Sequence, residues 1–459
     1  MISLPEAAPL DATQQARRVL FIHQNFPGQF RGIALHLATD PAFEVLAIGK
    51  QGCPSLPGVR VLKYSLHRGA AAQTHHYVRP LEAGVLHGQA VLRLLQALKR
   101  KGYVPDVIVA HPGWGETLYA KDVFPEAQLL HFSEYYYHPA GADVGFDPEF
   151  PASLDDQARI RTKNALQLLN LENCDVAIAP TRWQKSLHPL AYQNKIEVIH
   201  EGIDTSLLGP DPSASFTLPN GKVLRAGDPV VTYVSRNLEP YRGFHVFMRT
   251  VPLLLAQHPS CDIVVVGGDR VSYGKPPEDA ENWREKLLAE NDIDSARVHF
   301  LGQIPYADYR TVLQVSAVHL YLTYPFVLSW SMLEAMASGC VVIGSRTAPV
   351  CEVIEDGVNG VLVDFFDCAA IADHAGKVLD SPLKYSAMRL AAALNTREHY
   401  ARTTGSVRYG KLIGKARNGS DAEEVPKMDC HRDSEILSPK EPADDFLPNR
   451  LMVIDDATT

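Results

Sequence analysis

The chain has 459 residues, 46% of them hydrophobic and 21% charged, with a formal net charge of −9. That length is ample for two or three globular cores, and no apolar run approaches the ~20 residues of a membrane-spanning helix. Six Lys/Arg and eleven Asp/Glu fall in residues 415–459. The body therefore carries only −4 and has no dense basic run, which argues against nucleic acid as a partner.

Residues 1–18 contain no apolar h-region and read as a flexible N-terminus rather than a cleaved signal. Residues 19–23 (VLFIH) form a buried strand, followed by the turn Asn25-Phe26-Pro27-Gly28, a helix over 30–38 and a strand over 45–48. This is one β-α-β unit, the start of a parallel sheet. No GxGxxG fingerprint is present, so a dinucleotide cofactor is disfavoured. Arg31 is a cation for an acceptor anion or an ordinary surface arginine.

Residues 81–101 predict a long amphipathic helix, with Val85, Leu86, Leu92, Leu95 and Leu98 on or near its apolar side and Arg93, Lys99, Arg100 and Lys101 crowding its end. Either it packs on the core and its late cations complement the helix dipole, or those cations touch anionic headgroups; neither reading spans a membrane. The next strand, 107–110, ends at His111 and opens the loop HPGWGE, with Trp114 and Glu116. A histidine there donates a hydrogen bond to a ligand hydroxyl, binds a phosphate as a cation, or is structural. A strand over 128–132 leads into an aromatic and acidic segment, 132–150, containing Glu134. That segment suits stacking on, and hydrogen bonding to, a hydroxyl-bearing ligand, or a packed surface loop. A helix over 158–173, a strand over 176–179 followed by Thr181 as a candidate helix cap, and residues 196–200 complete the first α/β set. The segment Glu201-Gly202-Ile203-Asp204 that follows reads first as architecture.

Residues 205–228 are rich in Pro, Gly and Ser, without periodicity, and read as a linker. A second α/β set follows, with strands at 230–234, 262–266, 298–301, 318–322, 341–343 and 360–363. Residues 385–414 read as helical, and 415–459 as a disordered acidic tail. The expected organisation is thus two tandem Rossmann-like domains, 19–204 and 229–384, with a ligand site in the cleft between them at the carboxyl ends of the strands. The seven cysteines (Cys53, Cys174, Cys261, Cys340, Cys351, Cys368 and Cys430) show no metal or redox spacing and read as free thiols of a reducing cytosol.

Two stretches carry chemistry. In YVSRNLEPYRGF, residues 233–244, Arg236 ends a strand and Arg242 follows six residues later, beside Gly243. Two guanidinium forks at a strand-to-helix turn, with backbone N–H groups of the helix start, suit a pyrophosphate. In residues 324–364 a Ser-rich turn (Ser329, Trp330, Ser331) precedes a helix bearing Glu334, the stop Gly339 and a buried strand.

Taken together, over roughly residues 19–414, these motifs resemble the retaining GT-B glycosyltransferases of family 4. The resemblance implies that Arg236 and Arg242 bind the donor diphosphate, that Glu334 accepts from the nucleotide ribose, and that Ser329, Trp330 and Ser331 offer N–H groups to the phosphates. It places His111 near the donor sugar as a catalytic residue and Gly28 where donor or acceptor approaches the backbone. It also sets residues 267–269 and 299–302 near the base. Arg31, Glu116 and Glu134 are then acceptor-side candidates. The family's first acidic residue, eight before Glu334, is replaced by Phe326, which puts the sugar identity and the retaining chemistry in doubt.

The implied activity is transfer of a sugar from a nucleotide diphosphate sugar to the hydroxyl of a sugar or lipid-linked acceptor, with retention, in bacterial-type polysaccharide or glycoconjugate synthesis. No metal and no cofactor are expected, because two arginines and helix N–H groups meet the leaving charge. The expected location is cytoplasmic, with peripheral contact at the inner membrane face if the acceptor is a lipid. Two rivals stand beside it: a non-catalytic nucleotide-sugar-binding subunit, motivated by Phe326, and a sugar-nucleotide epimerase, for which no convincing carboxylate pair is present.

Overall fold

The computed structural model describes residues 16–415. Most of the expected flexible N-terminus (1–18) and of the expected acidic tail (415–459) lies outside the described residues.

The first domain is built on a seven-stranded, all-parallel sheet: β1 (Arg17–Ile22), β2 (Phe43–Lys50), β3 (Arg60–Tyr64), β4 (Val107–Ala110), β5 (Gln128–Phe132), β6 (Val176–Ala179) and β7 (Ile196–Val198), in the order β3-β2-β1-β4-β5-β6-β7. Its central strands are buried on both faces, which is why they read as continuous apolar runs in the sequence. β3 has a half-exposed, basic pattern (RVLKY) and no such run, so nothing in its residues marks it as a strand.

After a short antiparallel hairpin, β8 (Ser215–Thr217) and β9 (Val223–Arg225), the second domain forms a six-stranded parallel sheet. Its strands are β10 (Val230–Asn237), β11 (Asp262–Gly268), β12 (Val298–Gly302), β13 (Val318–Tyr321), β14 (Val341–Ser345) and β15 (Val361–Val363), in the order β12-β11-β10-β13-β14-β15. The β8–β9 hairpin lies within the stretch expected to be a linker. Leu218 and Leu224 pack there with Val230, Val264, Val266 and Val312, so that stretch is partly the second domain's own core. Three-residue strands around Pro219-Asn220-Gly221 are too short to show a period.

The amphipathic helix runs over Arg79–Arg100. Leu86, Val91 and Leu95 are buried in the first domain's core, and the Lys99 ammonium donates to the Val123 carbonyl at 2.7 Å. Arg93 and Arg100 stay exposed. No helix among the described residues is long and apolar enough to cross a membrane. The helix Arg402–Lys415 returns to the first domain, where Tyr409 and Ile413 are buried with Phe30, Ile33 and Leu37.

Both sheets change winding direction between their first strand and the strand beyond the crossover: β1 beside β4, and β10 beside β13. Side chains at the carboxyl ends of those four strands open into one shared cleft.

Candidate functional site

The cleft has a volume of about 2290 Å³ and is lined from both domains. On the second-domain side, β10 brings Arg236 to the cleft wall, where it is exposed. The chain then makes the tight turn Pro240–Arg242 and enters the helix Phe244–Gln257 through Gly243. Gly243 has φ +71°, and a Cβ there would lie 2.3 Å from Leu322 Cβ, so only glycine fits.

Arg242 is buried, at 7% exposure. Its Nη1 donates to Thr323 Oγ1 at 2.9 Å and to the Val327 carbonyl at 2.8 Å. The guanidinium carbon lies 5.1 Å from the Tyr273 ring centre and 5.9 Å from that of Phe326. Burial opposes its charge, but Tyr321, Tyr273 and Glu239 outweigh it and the pKa stays above the usual value. Glu239, fully buried, accepts from the backbone N–H groups of Ser272, Tyr273 and Gly274 at 2.9, 3.1 and 2.9 Å. It thereby fixes the loop after β11 beside the arginine, a role that no motif announced.

The helix Trp330–Ala337 starts at the cleft. Ser329 caps it, accepting from the Ser331 N–H, and the Ser329 N–H donates to the Tyr321 hydroxyl at 2.7 Å. The indole of Trp330 donates to Glu201 Oε1 at 2.6 Å. Glu334 lines the cleft and already accepts from the hydroxyls of Tyr306 (3.0 Å) and Tyr309 (2.7 Å). Burial pushes its carboxyl pKa up, and the two tyrosines only partly offset that.

On the first-domain side, His23 and His111 end the adjacent strands β1 and β4, with ring centres 5.2 Å apart. His111 is 5% exposed and stacks on Trp114 at 4.5 Å. Its Nδ1 accepts from the Gly113 N–H at 3.2 Å, which leaves the Nε2 proton directed at Glu134, 3.6 Å away. His23 Nδ1 likewise accepts from the Asn25 N–H, and its Nε2 meets Gln29 Oε1 at 2.8 Å. Gln29 in turn donates to Glu134 at 3.2 Å.

Burial, then the nearby His111, lowers the His23 pKa to about 3, so its ring stays neutral. Glu134 goes the other way. Burial opposes its charge, yet His111, Gln29 and His23 together hold its carboxyl below the ordinary range. Gly28 completes this side: at φ +47°, a Cβ would lie 2.4 Å from His23 Nε2. Residue by residue, the sequence singled out His111, Gly28 and Glu134. It missed His23, although a second histidine closing the neighbouring strand was the available signal.

Some expectations need correction. Glu116 does not line the cleft. It is 1% exposed, accepts from the Tyr64 hydroxyl at 2.8 Å and lies 3.8 Å from His87, so it is a buried structural carboxylate. Arg31 is exposed at the cleft. The acidic and aromatic segment 132–150, with Glu134, lines the cleft and is packed as well. It crosses to the second domain, where Phe146 packs on Tyr324 (5.2 Å) and Phe365 (5.3 Å), and Glu149 pairs with Arg249 at 2.8 Å. Among the described residues, Asp147, Glu149 and His245 bring ligand atoms within 4.8 Å of one another. Asp147 is already engaged by His245 at 2.9 Å and by the Tyr324 hydroxyl, and Glu149 by Arg249. Phe326, at the place of the family's first acid, is 5% exposed and packed against Tyr135, Tyr241 and Tyr273 at 4.7, 5.6 and 4.9 Å.

Comparison with known proteins bears on both domains. Residues 41–208 match the glycosyl transferase family 4 group, and residues 217–395 match glycosyl transferases group 1. A D-inositol 3-phosphate glycosyltransferase of Acidothermus cellulolyticus is 27% identical over 47% of this chain and 48% of its own length. A GDP-mannose-dependent alpha-(1-6)-phosphatidylinositol monomannoside mannosyltransferase of Mycolicibacterium smegmatis is 26% identical over 54% of this chain and 65% of its own. The chain thus matches about half to two thirds of the length of these curated relatives. Among solved structures, sucrose-phosphate synthase from Thermosynechococcus elongatus superposes with a TM-score of 0.65 at 19% identity, covering 87% of this chain and 99% of that one. Anabaena HepE in complex with UDP-glucose gives 0.60 at 16% identity, covering 87% and 99%. With two parallel-sheet α/β domains, and with family matches running through both of them, the chain belongs to the group 1, family 4 type of GT-B glycosyltransferases.

Proposed function

We propose that the chain transfers a sugar from a nucleotide diphosphate sugar to an acceptor hydroxyl, with retention at the anomeric carbon and without a metal ion. The observation that carries this reading is the convergence on one cleft of Arg236, Arg242 and the start of the Trp330–Ala337 helix from one domain, with His111, Gly28 and Glu134 from the other.

On this reading Arg236, Arg242 and the N–H groups of the capped helix take up the charge that develops on the diphosphate as the anomeric C–O bond breaks. Glu334 receives the ribose. His111, its proton on Nε2, donates to a hydroxyl of the donor sugar. On this reading no enzyme carboxylate attacks the anomeric carbon and no covalent intermediate forms. The leaving phosphate oxygen therefore takes the acceptor's proton as the new C–O bond forms on the face it vacates.

Both named relatives have phosphorylated inositol-type compounds in their names, which supports a phosphate-bearing polyol as the acceptor class for this chain, free or lipid-linked. A lipid-linked acceptor would place the protein at a membrane surface. Phe326 favours one second reading, a donor-binding subunit without transfer, since a buried phenyl ring cannot accept from a sugar hydroxyl. A transfer and hydrolysis assay with UDP- and GDP-sugars, with and without EDTA, tests all of this. Turnover that survives EDTA is expected. Turnover lost with EDTA and restored by Mg²⁺ or Mn²⁺ overturns metal independence, and nucleotide binding without any turnover favours the subunit.

A further inference from the structure

The donor arginine is boxed by residues that are themselves tied to the other domain. Asp143, 4% exposed, belongs to the segment that crosses the cleft, and its two oxygens accept from the hydroxyls of Tyr135 and Tyr241, each at 2.9 Å. Tyr241 immediately precedes Arg242 in the turn Pro240–Arg242. Tyr135 also donates towards the Pro325 carbonyl at 3.3 Å, and its ring lies 4.7 Å from that of Phe326. Phe326 and Tyr273 form the aromatic walls beside the Arg242 guanidinium.

We propose that Tyr135 and Asp143 of the first domain are positioning residues for the donor site, holding Arg242 in place across the cleft through Tyr241 and Phe326. The proposal rests on the reading that Arg242 binds the donor diphosphate. Arginine has many rotamers, and a side chain ordered before the ligand arrives loses less entropy on binding. The aromatic residue at 326 fits the same role. A carboxylate there would sit beside the guanidinium and compete with the diphosphate, whereas a phenyl ring shapes the box and leaves the positive charge available. The nucleotide affinity of the second domain is therefore set in part by a carboxylate of the first.

The test uses the full chain with Tyr241→Phe, Asp143→Asn and the double variant. UDP and GDP affinities are measured by calorimetry well below the melting temperature, and melting is followed in parallel. Each single variant is expected to weaken nucleotide diphosphate binding about five-fold or more, the scale of one net hydrogen bond. The double variant is expected to lose little beyond the weaker single, because the two groups share one interaction. In turnover, donor KM rises while kcat holds. Melting temperatures that fall while affinities stay unchanged would show a merely structural contact and overturn the proposal, as would losses that multiply in the double variant. A parent chain that binds neither UDP nor GDP would remove the donor reading itself. A parent that binds, with variants that bind equally well, removes only this inference.

Discussion

On the second-domain side of the cleft, Arg236 and Arg242 supply two cations that no accessible pH removes. On the first-domain side the corresponding strand ends carry His23 and His111, joined through Gln29 and Glu134; burial first lowers the His23 pKa to about 3, and against burial His111, Gln29 and His23 hold Glu134 below the ordinary carboxylate range. The second-domain wall thus carries two guanidinium groups, and the first-domain wall a neutral buried histidine beside a carboxylate held ionised. The same asymmetry runs deeper into the domains. His23 and His131 of the first domain are held near a pKa of about 3, and His87 near about 4, all by burial first; in the second domain His319 alone is lowered in this way among the described residues.

The largest expected effect follows from that imbalance. A histidine whose folded pKa is about 3 binds fewer protons than the unfolded chain throughout the window from about 6.5 down to 3, so stability falls as pH drops through it. Between pH 7 and pH 5 each of His23, His131 and His319 withdraws about 2 kcal/mol. The first domain carries most of this load. Hydrogen exchange at pH 5 should deprotect β1 and β5 before β10 and β14, and His131→Asn should return part of the loss. Equal deprotection of both sheets would break the comparison.

Next in size are the arginines. Arg236→Ala removes an exposed cation, and nucleotide diphosphate affinity should fall ~10-fold or more with no change in melting temperature. Arg242→Ala should lose as much affinity and also destabilise the fold, because Thr323 and the Val327 carbonyl lose their buried donor. Calorimetry with UDP and GDP decides; unchanged affinity in both variants would remove the pyrophosphate assignment.

A third substitution separates the halves. Gly28→Ala sets a methyl against His23 at a positive φ, a local cost of about 1–3 kcal/mol. Transfer rate should drop while UDP and GDP affinities stay at the parent value. A variant that loses nucleotide binding would show that the two sides are not separable.

Legibility in the sequence divides along the same line. The second-domain wall of the cleft was readable because its parts are local: two arginines six apart, a glycine that the turn demands, a serine cap ahead of Glu334. The parallel sheets were readable because doubly buried strands are unbroken apolar runs. The first-domain wall depends on partners far apart in the chain. Glu134 is defined by Gln29 and His111, Glu116 by Tyr64 and His87, and Asp143 by Tyr241. A carboxylate's role is fixed by what faces it, and spacing alone does not encode that. Glu116, beside a promising histidine loop, looked like a ligand group and is a core residue.

The smallest expected effect concerns the helix Arg79–Arg100 and a membrane surface. Its apolar side is consumed by the first domain's core, through Leu86, Val91 and Leu95, so no hydrophobic face remains to insert into lipid. Lys99 is also committed, donating to the Val123 carbonyl. What remains for headgroups is electrostatic: Arg93, Arg100 and Lys101 are exposed near the helix end. Each cation contributes ~1 kcal/mol at an anionic leaflet and loses most of it in high salt. Co-sedimentation with anionic vesicles should therefore be weak, absent from neutral vesicles, abolished by salt and lost in Arg93→Glu/Arg100→Glu. Binding that persists in high salt would require an apolar anchor elsewhere. Absence of binding at low salt would confine this helix to its core-packing role and leave any contact with a lipid acceptor to the cleft itself.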